Sequence, residues 1–268
     1  MAEVHPTAVV SDDVTLGEGV RIGPFCVVEG EITLEDGVEL VSHVAVAGRS
    51  RIGARTRVFP FASIGHPPQD TKYRGEPSRL EIGEDCTIRE HVTINPGTEG
   101  GGMLTTVGNR CLLMTGAHIA HDCHVADHVI IVNNVLLGGH VEVDDWAIVG
   151  GMTAVHQFVK IGKHAMVGGA SALGTSVIPY GLARGNLARL DGLNLVGLKR
   201  RNFSRDEIST LRRAYRFLFG PEGTMEEKVA DAEKLFEGET GVDDIIGFMK
   251  ANSSRGLCTP RKDATAAQ

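Results

Sequence analysis

The chain has 268 residues, 42% of them hydrophobic, and a formal net charge of −7, enough apolar material for a full core in an acidic protein. It lacks a signal peptide and any apolar run long enough to span a bilayer, so a cytoplasmic protein without stable membrane insertion is expected. Five cysteines (Cys26, Cys86, Cys111, Cys123 and Cys258) form no paired framework, which argues against a disulfide-stapled secreted fold.

From the N-terminus an aliphatic residue recurs at every sixth position, unbroken from Val4 through Val10, Leu16 and Ile22 to Val58 and Ile64. The series returns as Ile82, Ile88 and Ile94, slips by one residue, and runs again from Val107 to Leu173. A helix would space apolar residues by three and four, and a lone strand would alternate strictly. One obligatory aliphatic per hexad instead predicts a mainly β solenoid of short strands and turns over residues 1–180. The residue two before each aliphatic is usually small or apolar (Ala8, Cys26, Val44, Ala117, Cys123) and shares the inward face by strand alternation. Glycine often follows the aliphatic, as at Gly23, Gly53 and Gly150, where a tight corner is expected to favour a residue without Cβ. Three hexads close one triangular coil, so residues eighteen apart should stack at about 4.8 Å.

Two segments interrupt the coils: the polar, turn-rich stretch 66–79 (HPPQDTKYRGEPSR) and the glycine-rich stretch 95–106 (NPGTEGGGMLTT). Solenoid insertions usually map to a binding face, although composition alone fits a plain surface bulge equally well.

Candidate chemistry concentrates at His118, His121, Asp122 and His124, followed by His128, His140 and His156. The eighteen-residue coil sorts them: His121, Gly139 and Gln157 fall in one column, with His140 beside Gly139 and over Asp122. An imidazole suits general-base work. Gly139, with no side chain, leaves its backbone N–H free to meet an oxyanion about one coil, ~5 Å, away. Asp122 is a candidate to orient the base, against which stands the rule that neighbours on a strand point to opposite faces.

After Pro179 the period changes. Ser204 to Glu207 reads as a capping box opening a helix with Ile208, Leu211, Tyr215 and Leu218 on one face, and Thr224 to Glu227 repeats the device. A third helix fits 243–251, and the tail after Ser253 is expected to be loose. A linker and α-helical domain are therefore expected over 181–268. Lys199, Arg200, Arg201, Arg205, Arg212, Arg213 and Arg216 face only Asp206 and Glu207, a basic patch that suggests an anionic partner or else a solvated helix face. The patch is short and carries no interleaved aromatics, which argues against nucleic acid.

His-Ile-Ala-His-Asp-Cys at 118–123, Gly-Gly-His at 138–140, Gly-Gly-Met-Thr-Ala-Val-His-Gln-Phe at 150–158 and Gly-Leu-Lys-Arg-Arg at 197–201 resemble the UDP-N-acetylglucosamine acyltransferases of the hexapeptide-repeat class. So do Phe-Ala-Ser-Ile-Gly at 61–65 and the Gln-Asp-x-Lys-Tyr-x-Gly-Glu-Pro run at 69–77, and the likeness covers nearly the whole chain. The resemblance implies a left-handed parallel β-helix, a hand opposite to the general crossover rule. It also implies a homotrimer with sites between neighbouring β-helices, without cofactor or metal. The implied reaction moves a 3-hydroxyacyl group from acyl carrier protein to the 3-hydroxyl of UDP-N-acetylglucosamine, the first step of lipid A synthesis. His121 would be the general base, Asp122 its partner and Gly139 the oxyanion donor. His118, His140, His156 and Gln157 would line the sugar and acyl pocket, and Asp70 and Lys72 would contact the nucleotide sugar. Asn194, Arg200 and Arg201 would serve the uridine-diphosphate and carrier-protein side. Gly169 matches a position that gates acyl length, where a missing side chain implies a long chain. Val196, Asn95-Pro96 and Leu187 depart from common members (Glu, His-Arg and His there), which leaves a 3-amino sugar analogue open as the acceptor.

A γ-type carbonic anhydrase would hold zinc on three histidines of the same coil, but no two histidines here lie eighteen apart. A later N-acyltransferase of the pathway is expected to place a uridine-binding domain before its coils, whereas this repeat begins at Val4. An acetyl-CoA-dependent hexapeptide enzyme and a non-enzymatic scaffold complete the alternatives; the scaffold has no need for the His121–Gly139 column.

Overall fold

In the computed structural model, which describes residues 1–251 and 254–261, the hexads form mostly two-residue strands separated by turns. Through Ala172–Leu173 all of them pair in parallel, and the register is eighteen: Glu3 with Arg21, Arg21 with Glu39, and later Ile130 with Ile148. Three flat faces result. The first passes through Arg21–Ile22, Thr87–Ile88 and Ile148–Val149; the second through Ser63–Ile64, His118–Ile119 and Ala154–Val155; the third through Arg79–Ile82, His124–Val125 and Lys160–Ile161. The second and third faces fuse in two eight-residue strands, Val27–Leu34 and Ala45–Ile52, which pass the corner at Gly30 and Gly48. A Cβ on Gly30 would fall 2.4 Å from the Gly48 carbonyl oxygen, so only glycine fits that crossing.

The aliphatic series fills the interior, with Ile52, Ile64, Ile88 and Leu137 fully buried. Cys26, Cys86, Cys111 and Cys123 are free and buried beside it, as small core residues.

At Gly23 and Gly53 the glycine after the aliphatic has a different cause from the one expected. Gly23 and Gly53 do not have left-handed φ; a Cβ there would sit 1.8 Å from the Val41 oxygen and 2.4 Å from the Gly83 carbonyl carbon of the next coil. The left-handed turn position lies three residues before the aliphatic and is often not glycine: Phe25, His43, Phe61, Asp122, His140 and Trp146 all have φ between 51° and 66°. That conformation costs roughly 1–2 kcal/mol per L-residue. Ring stacking along a corner opposes the cost: Phe25, His43, Phe61 and His91 lie at centroid spacings of 4.9 to 5.1 Å.

Both insertions leave the prism at one corner, between the second and third faces. Ile52 pairs with Ile82 across 30 residues, and Ile82 with Val107 across 25. The first excess of 12 over the coil is two hexads and preserves the phase; the second, of 7, causes the one-residue slip. His121 and Asp122 turn this same corner in the following coil. The two loops interlock there: the Asn95 side chain donates to the His66 carbonyl at 3.0 Å, and the Glu99 N–H donates to Glu76 at 3.2 Å.

Beyond residue 180, Gly181–Arg184 extends the first face and Arg189–Leu193 folds back antiparallel to it. A short helix, Leu195–Arg200, follows, capped by Asn194; nothing in the hexad pattern or capping motifs had suggested it. Arg205–Leu218 and Met225–Leu235 carry the two expected capping boxes, and the last helix spans Thr240–Ala251. Leu211, Ala214 and Leu218 are buried, as are Val242, Ile245 and Ile246 of the last helix. The expectation of a loose tail is corrected for residues 254–261. Cys258 N–H donates to the Ser176 carbonyl at 2.8 Å, Leu190 N–H to the Thr259 carbonyl at 3.2 Å, and the Cys258 side chain is buried. The last coil of the solenoid thus supplies the returning chain with backbone hydrogen-bond partners. Residues 252, 253 and 262–268 of that tail lie outside the described residues. Among the described residues no helix is long and apolar enough to cross a membrane.

Candidate active site

Between His118–Ile119 and His124–Val125 the backbone must turn from the second face to the third. Asp122 takes the left-handed position, φ 57°, so strand alternation does not apply and the two neighbouring side chains reach the same corner. His121 Nδ1 lies 2.8 Å from Asp122 Oδ2. A carboxylate only accepts, so Nδ1 carries a proton, and in the neutral imidazole Nε2 is then the acceptor. One coil on, Gly139 lies against the imidazole: a Cβ there would sit 2.5 Å from Cε1 and 2.7 Å from Nε2 of His121. The Gly139 N–H has no backbone acceptor among the described residues, whereas Gly138 and His140 donate to the Val155 and His121 carbonyls.

Asp122 is 2% exposed and fully engaged. Thr98 donates its N–H to Oδ1 at 2.8 Å and its hydroxyl to Oδ2 at 2.6 Å, and the Asp122 N–H donates to Thr105 Oγ1 at 2.8 Å. His140, next in the column, places Nε2 3.9 Å from Asp122 Oδ2, meets the His121 ring edge-on at 5.1 Å, and stacks on Phe158 at 4.3 Å. Burial holds His140 below the ordinary imidazole range, with Asp122 opposing it. Burial, then the charge of His121, also lowers His118, whose Nδ1 lies 2.7 Å from Thr93 Oγ1. Burial pushes the Cys123 thiol up to about 12, which removes it as a rival nucleophile.

Ligand atoms of His121, Asp122 and His140 converge within 4.8 Å. The carboxylate is already committed to Thr98 and to His121 Nδ1–H, which suits a proton-transfer dyad better than a cation site.

Two family profiles match: the bacterial transferase hexapeptide profile (six repeats) over residues 104–139, and UDP-N-acetylglucosamine O-acyltransferase domain 2 over residues 177–258. Acyl-(acyl-carrier-protein)–UDP-N-acetylglucosamine O-acyltransferases of Sinorhizobium fredii and Rhizobium johnstonii are 45% and 47% identical to it. Each alignment spans 262 residues, 97% of this chain and 97% and 96% of those relatives. The chain belongs to the UDP-N-acetylglucosamine acyltransferase family. The crystal structure of UDP-N-acetylglucosamine O-acyltransferase from Moraxella catarrhalis superposes with a TM-score of 0.92 at 38% identity, covering 95% of this chain and 99% of that one.

The family-matched residues do not all converge within the chain. His121, Asp122, Gly139, His140 and Gln157 share one corner, and His118 projects from the second face beside it. His156 and Gln157 are exposed on the next coil. Asp70 and Lys72 come from the first insertion; Lys72 N–H donates to Asp70 at 2.9 Å, and the Asp70 charge reaches His140. Gly169 lies at the opposite edge of the second face, where an added Cβ would approach the Gly151 oxygen at 3.1 Å. Asn194, Arg200 and Arg201 occupy the third corner. Asn194 caps its helix and donates to the His164 carbonyl at 2.9 Å, so its amide is engaged locally. Arg201 donates to the Trp146 carbonyl at 2.8 Å and lies over that indole, while Arg200 is exposed.

Of the positions departing from common family members, Asn95 is buried and ties the two insertions together, whereas Val196 and Leu187 are exposed. Residue-level reading passed over Thr98, Thr105, Thr93 and Arg255. Arg255 Nε donates to the Gln157 carbonyl at 2.8 Å, with its guanidinium over Phe158. The run Gly100-Gly101-Gly102 was the available signal for Thr98, since glycine permits close approach: a Cβ on Gly101 would sit 2.0 Å from Asp122 Cγ.

Proposed function

We propose that this protein transfers a (3R)-3-hydroxyacyl group from acyl carrier protein to the 3-hydroxyl of UDP-N-acetylglucosamine or the 3-amino group of its analogue. The observation that carries the mechanism is the His121 ring, protonated toward Asp122 and presenting Nε2 beside Gly139. Nε2 takes the acceptor proton as the sugar oxygen or nitrogen bonds to the thioester carbonyl carbon. The Gly139 N–H donates to the resulting oxyanion. Collapse breaks the C–S bond, and the departing thiolate of the carrier recovers the proton from Nε2. His118, His140, His156, Gln157 and Gly169 would line the sugar and acyl groove, with Asp70 and Lys72 on the nucleotide sugar. No step calls for a cofactor or metal.

The spread of these residues over three corners supports a homotrimer, in which a neighbour's Asn194, Arg200 and Arg201 complete a site between two prisms. Lys199, Arg200, Arg205, Arg212, Arg213 and Arg216 are exposed, as docking of an acidic carrier protein requires. Soluble, cytoplasmic operation fits both substrates.

Turnover with UDP-N-acetylglucosamine and its 3-amino analogue, each against hydroxyacyl carrier proteins of several lengths, tests the reading. Transfer to at least one sugar is expected, with the longer chains preferred. Transfer to neither would refute it. His121→Ala should abolish turnover with fold and assembly intact.

A further inference from the structure

We infer that Thr98, carried on the second insertion, is a positioning residue that aims the His121 base by clamping both oxygens of Asp122. This rests on His121 being the base. Thr98 begins the short turn Glu99–Gly101 yet makes no side-chain cap hydrogen bond; the hydroxyl that would ordinarily cap is spent on Asp122 Oδ2 at 2.6 Å. Its N–H holds Oδ1 at 2.8 Å, so the carboxylate is gripped from two sides. Thr98 is itself held, its carbonyl accepting from Gly101 at 3.1 Å and Met103 at 2.9 Å. Thr105, fully buried, accepts the Asp122 N–H and holds the left-handed turn that brings the carboxylate to His121. The insertion thus closes over the dyad as well as extending the surface.

A consequence separates clamping from mere packing. The Thr98 hydroxyl and His121 Nδ1–H share one acceptor, Oδ2. Deleting one donor leaves Oδ2 to the other alone, so the Thr98 hydroxyl bears on the proton shared within the dyad as well as on its geometry. The titratable groups acting on the dyad are His118, His140 and Cys123, with Asp70 and His124 acting in turn on His140, and Thr98→Val alters none of these side chains.

Thr98→Val keeps the shape and the N–H while deleting the hydroxyl donor to Oδ2. In the intact enzyme it should lower kcat about 10-fold or more and leave KM for the sugar nucleotide unchanged. The acid limb of kcat/KM should move upward by about one pH unit, as loss of one charge-assisted hydrogen bond implies. Thr98→Ser should restore both the rate and the limb. Gly101→Ala, whose methyl enters the carboxylate position, should lower kcat at least as much and covers the case in which Thr98→Val does not fold. Wild-type kcat in either variant, or lost activity with an unmoved limb and no rescue by serine, would overturn the inference. An inactive wild-type protein would refute the acyl-transfer reading itself, a separate outcome.

Discussion

Replacing Gly139 with alanine tests the central contact of the site. The φ of Gly139 lies outside the left-handed region, so alanine can take the same backbone and the N–H is retained. Its Cβ, however, would sit 2.5 Å from His121 Cε1, against an ordinary contact of 3.4 Å or more, so the ring must retreat by about 0.9 Å. Retreat breaks or lengthens the 2.8 Å bond to Asp122. Losing a charge-assisted hydrogen bond costs about 1.5–3 kcal/mol. The lower backbone entropy of unfolded alanine returns about 0.4–1 kcal/mol. The net loss of ~0.5–2.6 kcal/mol leaves the protein folded, while an imidazole displaced by ~1 Å should cost about 100-fold in kcat. Steady-state turnover beside urea unfolding monitored by circular dichroism would measure both. A Gly139→Ala enzyme with kcat within about threefold of wild type would show that the base does not work from this position.

Asn95→Ala removes the bond that ties the two insertions together, and should raise KM for the sugar nucleotide about 2- to 10-fold with a smaller change in kcat, read by initial rates. Burial, then the charges of Arg201 and Lys163, hold His164 down to about 4, below the unfolded value of 6.5. The unfolded chain binds the extra proton between those values, so stability should fall as pH drops through that window. His164→Phe, which can keep the stack between Trp146 and Tyr180, should flatten the loss in urea midpoints taken at about pH 7 and 4.5. Treatment with a strong chelator should leave turnover unchanged; activity lost with EDTA and restored by zinc would return the three-donor cluster to metal chemistry.

Much of the architecture was legible because one physical requirement repeats. Every hexad must bury an aliphatic residue in the same narrow core, so a local pattern carries global register, and the column of His121, Gly139 and Gln157 follows by counting coils. The capping boxes at Ser204 and Thr224 were equally local and equally readable. Glycine after the aliphatic was visible as a pattern, but its cause, collision with the next coil at positions such as Gly23, requires the stacked backbone.

The amino-acid order by itself determined the coil, its phase, the helical cap and the candidate base, since these depend on spacing along the chain. Tertiary structure alone decided how Asp122 is held. Its turn at φ 57° brings it to His121 against the strand rule, and Thr98, 24 residues upstream, grips its carboxylate. A loop has no period, so its partners cannot be found by counting. They are set by where the chain leaves the prism, and both insertions leave at the corner that carries His121 and Asp122.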